Sequence, residues 1–148
     1  LIRRVLEQSD RKADSVWEST TLGAALLTPT RIYVRSLLGL FAETKVHGLA
    51  HITGGGLPGN VERILSPQLD AVIHKSNWPR PAIFSWLQAD GRIPEDDLLR
   101  TFNCGIGMTV VVAHHEAEQV QRTLERSGET VYRIGEITQG TGRVDIRP

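Results

Sequence analysis

Four glycines fall within six positions in the run His51-Ile52-Thr53-Gly54-Gly55-Gly56-Leu57-Pro58-Gly59-Asn60, and no other stretch narrows the possible folds as far. Glycine accepts positive φ and lets the backbone approach another group closely, at an entropic cost. The apolar stretch Val46–Ile52 before the run reads as a strand, and Asn60–Leu65 after it reads as a short helix. A strand leaving through such a turn into a helix aims several backbone N–H groups at one point. That geometry suits an anion, usually a phosphate. A tight turn with no ligand has the same pattern, and both readings stand at this level.

Two nucleotide-site patterns overlap the loop, and both break down. Gly54, Gly56 and Gly59 satisfy G-x-G-x-x-G after a strand. A dinucleotide fold then requires a full crossover helix and an acidic residue roughly 20 positions on. The predicted helix is barely two turns, and Asp70 comes too early and inside the next strand. Gly54 and Gly59 also have P-loop spacing, but Asn60-Val61 stands where lysine and a hydroxyl residue are required. The loop is therefore no standard ATP cradle.

Elsewhere the pattern alternates between helix and strand. Ile2, Val5 and Leu6 have helical spacing from the first residues, and the pattern starts without a cap, as a helix cut at its start would. The chain is therefore expected to be the C-terminal piece of something longer. Gln8–Thr20 reads as a loop, and Leu22–Leu27 as a short apolar stretch ending before Pro29. Val34, Leu37, Leu38 and Phe41 mark one face of a helix over about Ile32–Glu43. Leu69–Ile73 is the next predicted strand, Pro81 starts a helix ending at Gly91, and Pro94 opens another. Met108–Ala113 reads as a strand covered on both faces, and Glu116–Arg126 as a helix with Gly128 as its stop. Val131–Ile137 and Val144–Ile146 close the chain as strands. The expected fold is α+β, a mixed sheet layered with helices, in a single domain over residues 1–148.

Charge excludes some functions. Lys plus Arg and Asp plus Glu are 17 each, with no basic stripe, so no nucleic-acid partner is expected. No apolar run approaches the ~20 residues of a membrane span. Cys104 is the only cysteine, which rules out an internal disulfide and a cysteine-based zinc site. The cytosol is the expected compartment.

Several other residues invite chemistry. His47 and His51 share a strand face, but no third ligand accompanies them, so no metal site is expected. His51, beside the loop, is a candidate substrate contact or a core histidine; His114-His115 read as solvated turn residues. Arg31 in Pro29-Thr30-Arg31-Ile32-Tyr33-Val34 can pair with a phosphate or form a surface ion pair. In Phe102-Asn103-Cys104-Gly105-Ile106-Gly107-Met108, no local base supports a nucleophilic thiol, so Cys104 reads as a small buried hydrophobe. Its two glycines are expected to pack closely against the first glycine loop. Trp17, Trp78 and Trp86 read as core residues.

Together, Pro29–Val34, His51–Asn60 and Arg100–Met108 resemble, in order and spacing, the C-terminal half of the phosphoribosylformylglycinamidine cyclo-ligase family, also called aminoimidazole ribonucleotide synthetases. The resemblance runs from about Leu1 to the end. It implies an ATP-dependent ring closure in purine synthesis, in which the formyl amide oxygen is activated as an iminophosphate and an amidine nitrogen attacks that carbon. It further implies ATP and Mg2+ held by a separate N-terminal domain, a homodimer, and a phosphorylated small-molecule substrate. By that resemblance Thr53, Gly54, Gly55, Gly56 and Asn60 are expected at the substrate phosphate, with His51 and Arg31 as cleft contacts and no general base assigned. A related ATP-using enzyme, of the formylglycinamidine synthetase or selenophosphate synthetase type, and a non-catalytic phosphometabolite-binding module are the alternatives.

Overall fold

The structure, a computed structural model, describes all 148 residues. Helices α1 (Ile2–Gln8) and α2 (Leu22–Leu26) flank a hairpin of two-residue strands, β1 (Val16–Trp17) and β2 (Thr20–Thr21). This hairpin lies in the stretch expected as a loop. Its turn uses Glu18 at φ 49°, and Trp17 meets Trp86 edge-on with centroids 5.9 Å apart. Thr21 Oγ1 accepts from the Ala24 N–H at 3.2 Å and caps α2.

The order then runs α3 (Val34–Glu43), β3 (Gly48–His51), α4 (Gly56–Glu62), β4 (Leu69–His74), α5 (Ala82–Gly91) and α6 (Glu95–Thr101). It finishes with β5 (Met108–Val111), α7 (Ala117–Arg126), β6 (Gly135–Gln139) and β7 (Val144–Arg147). The α+β class with helices layered on strands is as expected, but the strands do not form one sheet. β3 pairs antiparallel with β5, while β4 pairs antiparallel with β6 and parallel with β7. The mixed character therefore resides in β6-β4-β7. Asp70 clasps this sheet's last turn: its carboxylate accepts the Thr141 and Arg143 N–H groups at 2.7 and 2.8 Å. Those bonds hold its pKa below the usual carboxylate value.

Three expectations shift once tertiary contacts enter. The helix expected from Asn60 starts at Gly56, so two of the four loop glycines belong to its first turn. The strand expected from Val131 is paired only from Ile134 onward, where the Ile134 carbonyl accepts the His74 N–H at 2.8 Å. The inward stripe of α3 is Ser36, Leu37 and Leu40, while Val34, Leu38 and Phe41 face outward.

Three apolar cores hold the layers. Val5, Leu22, Trp86, Leu87, Leu98 and Leu99 join α1, α2, α5 and α6. Leu57 and Val61 of α4 cover Ala50 and Ile52 on one side and Ala71 and Ile73 on the other, so α4 bridges the two sheets. Leu40, Val120 and Leu124 pack α3 and α7 over Val110 and Val112 on the opposite face of β5. Trp78 and Trp86 are buried, as expected of core residues.

One polar cluster fastens α5 to α6. Arg80 forms a two-pronged pair with Glu95, Gln88 Nε2 donates to Glu95 at 2.8 Å, and Lys75 Nζ donates at 3.3 Å. Chiefly through the Arg80 bonds, the Glu95 pKa falls from 4.5 to about 2. A depressed carboxylate pKa stabilises the fold above the unfolded value and loses that stabilisation as pH falls toward the folded value. Allowing for its partial exposure, the contribution is about 1–2 kcal/mol. Glu95→Gln is expected to lower unfolding free energy by that amount at pH 7. In urea titrations the difference from the parent chain should shrink between pH 4.5 and about 2. A pH-independent difference contradicts this account.

Candidate functional site

The glycine loop leaves β3 at His51 and turns on Gly55 at φ +101° and Gly56 at φ +60°, a region L side chains rarely occupy. The glycines differ in what requires them. A Cβ on Gly56 would lie 1.8 Å from the Leu99 carbonyl oxygen, so only glycine lets α4 seat on the end of α6. Gly55 has room but holds a left-handed conformation, and a Cβ on Gly54 would meet nothing within 4 Å.

Asn60 is buried beneath the loop rather than at its rim. Its Nδ2 donates to the carbonyls of Thr53, Gly54 and Gly56 at 3.2, 3.3 and 2.8 Å, and its Oδ1 accepts from Arg63 Nη1 at 3.2 Å. Those bonds turn the loop carbonyls inward. The Gly56 N–H donates to the Thr53 carbonyl at 3.0 Å, whereas the N–H groups of Thr53, Gly54 and Gly55 find no acceptor in the chain. Arg63 Nη2 lies 4.0 Å from where a Gly55 Cβ would sit, which places a guanidinium beside Gly55. Sequence reading passed over Arg63; its spacing of three from Asn60 on a helix was the available signal.

A second close approach joins the other two motifs to His51. The Tyr33 ring stands edge-on to the His51 imidazole with centroids 6.0 Å apart. Its hydroxyl fills the space where a Gly107 Cβ would be, 2.0 Å away. The Ile52 N–H donates to the Gly107 carbonyl at 2.9 Å, and His51 pairs with Met108 across the ladder. Tyr33 thus joins the site, although sequence reading singled out Arg31 instead. Burial, reinforced by Glu129, raises the Tyr33 pKa, so the phenol stays neutral and able to donate.

Arg31 lies elsewhere. Its Nε donates to Glu129 at 2.6 Å and its Nη2 to the Gly128 carbonyl at 2.6 Å, tying the entry of α3 to the end of α7; Ser36 Oγ also donates to Glu129. Arg31 and Tyr33 border a cleft of about 730 Å3 that runs between Gly105–Val112 and Glu129–Ile137. Of α4 only Val61 reaches that lining; Thr53–Asn60 lie outside it. His47 and His51 gather no third possible metal ligand.

Cys104 is structural. It is buried at φ +48°, its carbonyl accepts from Trp78 Nε1 at 3.0 Å, and burial pushes its thiol pKa up to about 11. At that value the thiol stays protonated at neutral pH and is no nucleophile. The glycines beside it pack on Pro81 and Tyr33 rather than on the first glycine loop. The loop meets this segment through Gly56 and the Phe102 carbonyl.

The sequence and the fold have counterparts among known proteins. A family model described as AIR synthase related protein, C-terminal domain, matches residues 1–147. A phosphoribosylformylglycinamidine cyclo-ligase of Nitrosococcus oceani is 52% identical over 95% of this chain, and that of Cupriavidus taiwanensis is 46% identical over 94%. The match covers 39% and 40% of those proteins, so the chain spans about two fifths of their length. A bifunctional purine biosynthetic protein of Schizosaccharomyces pombe is 48% identical over 93% of the chain, which covers 18% of it. Among solved structures, the E. coli hydrogenase maturation protein HypE superposes with a TM-score of 0.61 at 19% identity, over 92% of this chain and 48% of that one. That likeness concerns the fold alone.

The loop's geometry separates two substitutions. Gly56→Ala forces its methyl into the Leu99 carbonyl and is expected to destabilise the chain by about 2–4 kcal/mol in urea unfolding. Gly54→Ala meets open space and should stay within about 1 kcal/mol of the parent. Equal effects at the two positions contradict the seating of α4 on α6.

Proposed function

The chain belongs to the AIR synthase related family as its C-terminal domain, and from that premise we propose that it forms the substrate cleft of an ATP-dependent cyclo-ligase. The reaction assigned to the intact enzyme closes formylglycinamidine ribonucleotide to aminoimidazole ribonucleotide in purine biosynthesis. Support comes from relatives that bear the cyclo-ligase name and share 45–52% identity across almost the whole chain.

The observation that carries the site is the set of free N–H groups at Thr53, Gly54 and Gly55, with the Arg63 guanidinium beside Gly55. Backbone N–H groups and one guanidinium form a donor-only surface, which favours the substrate's 5′-phosphate over a neutral group. Gly54, Gly55 and Gly56 supply the close approach, Thr53 adds a flanking hydroxyl, and Asn60 holds the loop open toward the ligand. His51, exposed at the strand end and steadied by Tyr33, contacts the substrate beyond its phosphate. Arg31 acts from the cleft mouth through the donor that Glu129 and Gly128 leave free.

ATP would make the formyl oxygen a leaving group, but this chain does not fit ATP and Mg2+. Its loop has no P-loop lysine, and no three His, Cys, Asp or Glu side chains gather to hold a metal. Those ligands are placed in the N-terminal part of the intact enzyme, which pairs with this domain and forms a homodimer. No proton transfer is assigned to a residue of this chain. None of its helices is long and apolar enough to cross a membrane; the compartment proposed is the cytoplasm.

The chain alone is expected to bind the substrate without turnover. With formylglycinamidine ribonucleotide and ATP it should release no ADP, and steady release contradicts the division of labour between domains. In 15N spectra the substrate should shift the Gly54 and Gly55 amides. Gly55→Val should abolish that shift with the circular dichroism unchanged, because valine resists the required φ. His51→Ala removes one hydrogen bond to the ligand, about 1.5–3 kcal/mol if charged, and should weaken binding roughly 10- to 150-fold. Shifts confined to Met108–Val112 place the phosphate in the long cleft instead.

A further inference from the structure

The segment Phe102–Met108 runs beside the glycine loop and touches it at both ends. At one end the Ile52 N–H donates to the Gly107 carbonyl at 2.9 Å. At the other, a Cβ on Gly56 would lie 3.0 Å from the Phe102 carbonyl oxygen. The turn Asn103–Gly105 therefore lies along Thr53–Gly55, whose N–H groups carry the proposed anion site. Its backbone is unusual. Cys104, at φ +48°, and Gly105, at φ +105°, are both left-handed, and the side chain of Cys104 disfavours that conformation. Tertiary contacts hold the turn in this form. Trp78 Nε1 donates to the Cys104 carbonyl at 3.0 Å, the Cys104 side chain is buried, and a Cβ on Gly105 would lie 2.7 Å from Pro81 Cδ. Such strain persists only where the surroundings over-determine it, and it gathers at ligand-binding positions.

The same turn orients the side chain of Asn103. Its Oδ1 accepts the Gly105 N–H at 3.1 Å. Because that partner is a donor, the amide oxygen faces it and the NH2 group faces away. Asn60 uses its Nδ2 on three loop carbonyls, whereas the half-buried Asn103 keeps its Nδ2 without an acceptor in the chain. We propose that Asn103 is a ligand-binding residue whose Nδ2 donates to the anion seated on the glycine loop. It adds a neutral side-chain donor to the backbone N–H groups and the Arg63 guanidinium. The inference rests on the phosphate reading of that loop. A residue needed for the turn alone has no use for an NH2 group, since aspartate offers the Gly105 N–H the same acceptor.

Titrating the 148-residue chain with formylglycinamidine ribonucleotide in 15N spectra tests this. The Asn103 side-chain NH2 signal, assigned by through-bond correlation to its own backbone, should shift together with the Gly54 and Gly55 amides. A silent side chain beside responding amides overturns the inference and leaves the phosphate site standing. If neither responds, the phosphate reading fails and this inference with it. Asn103→Asp keeps the acceptor for the Gly105 N–H but turns the free donor into a carboxylate. It should hold the melting temperature within about 2 °C of the parent chain. Ribonucleotide binding should weaken at least about 30-fold, through a lost hydrogen bond and an added like charge. Unchanged affinity assigns Asn103 to the turn alone and overturns the inference; if the variant does not fold, the parent's side-chain signal decides. Inorganic phosphate should shift that same signal. A response to the ribonucleotide only assigns Asn103 to the rest of the substrate and overturns donation to the phosphate.

Discussion

The approach of Gly56 to the Leu99 and Phe102 carbonyls holds the rest of the domain in register. Helices α1, α2, α5 and α6 share one core, while α4 and the two sheets share another. The two meet where α4 starts, on the C-terminal turn of α6. Because no Cβ intervenes, α4 sits deep enough for Leu57 and Val61 to reach Ala50 and Ile52 of β3 and Ala71 and Ile73 of β4. A displacement of α4 would carry with it the loop whose N–H groups form the candidate anion site, so the packing of the domain and the shape of that loop depend on the same contact.

A second contact of this kind organises the far side of the site. Tyr33 occupies the space above Gly107 and steadies His51 from the side. The segment carrying Gly107 is itself anchored by Trp78 on the Cys104 carbonyl and by the Asn103 side chain on the Gly105 N–H. Three motifs far apart in the chain thus share one corner: one contributes donors, one a ring, and one a backbone surface free of side chains. Arg31, although it belongs to the same motif as Tyr33, spends its guanidinium on holding α3 to the end of α7. Neighbouring residues of one motif thus anchor different elements, Arg31 the end of α7 and Tyr33 the corner of His51 and Gly107.

The outer face of α3 belongs to a different level of organisation. Its apolar residues Val34, Leu38 and Phe41 belong to none of the domain's own cores and stand exposed. They stand on the same helix as Leu37 and Leu40, so α3 carries apolar side chains on its outer side as well as in the core. The Arg31–Glu129 and Ser36–Glu129 bonds orient that helix and so set which face is turned outward.

Much of this was legible in residue order. Glycine lacks a Cβ wherever it occurs, so a glycine run after an apolar strand signals a sharp, closely approached loop without knowledge of the neighbour. The alternation of apolar runs with amphipathic stretches likewise yields an α+β layering, because burial patterns follow the local repeat of strand and helix. Other features depended on residues brought from afar. Only α6 makes Gly56 obligatory while leaving Gly54 free. Only the loop carbonyls above it turn Asn60 from a plausible ligand contact into a buried clip. The inward face of α3 was misread because Val34, Leu37, Leu38, Leu40 and Phe41 encircle much of the helix, and periodicity cannot choose between two apolar faces. Val131 did not begin a paired strand because pairing requires a neighbour at hydrogen-bonding distance, which β4 supplies only from Ile134 onward. Local chemistry determined what each segment was able to become; long-range contacts decided which surfaces met and which remained open.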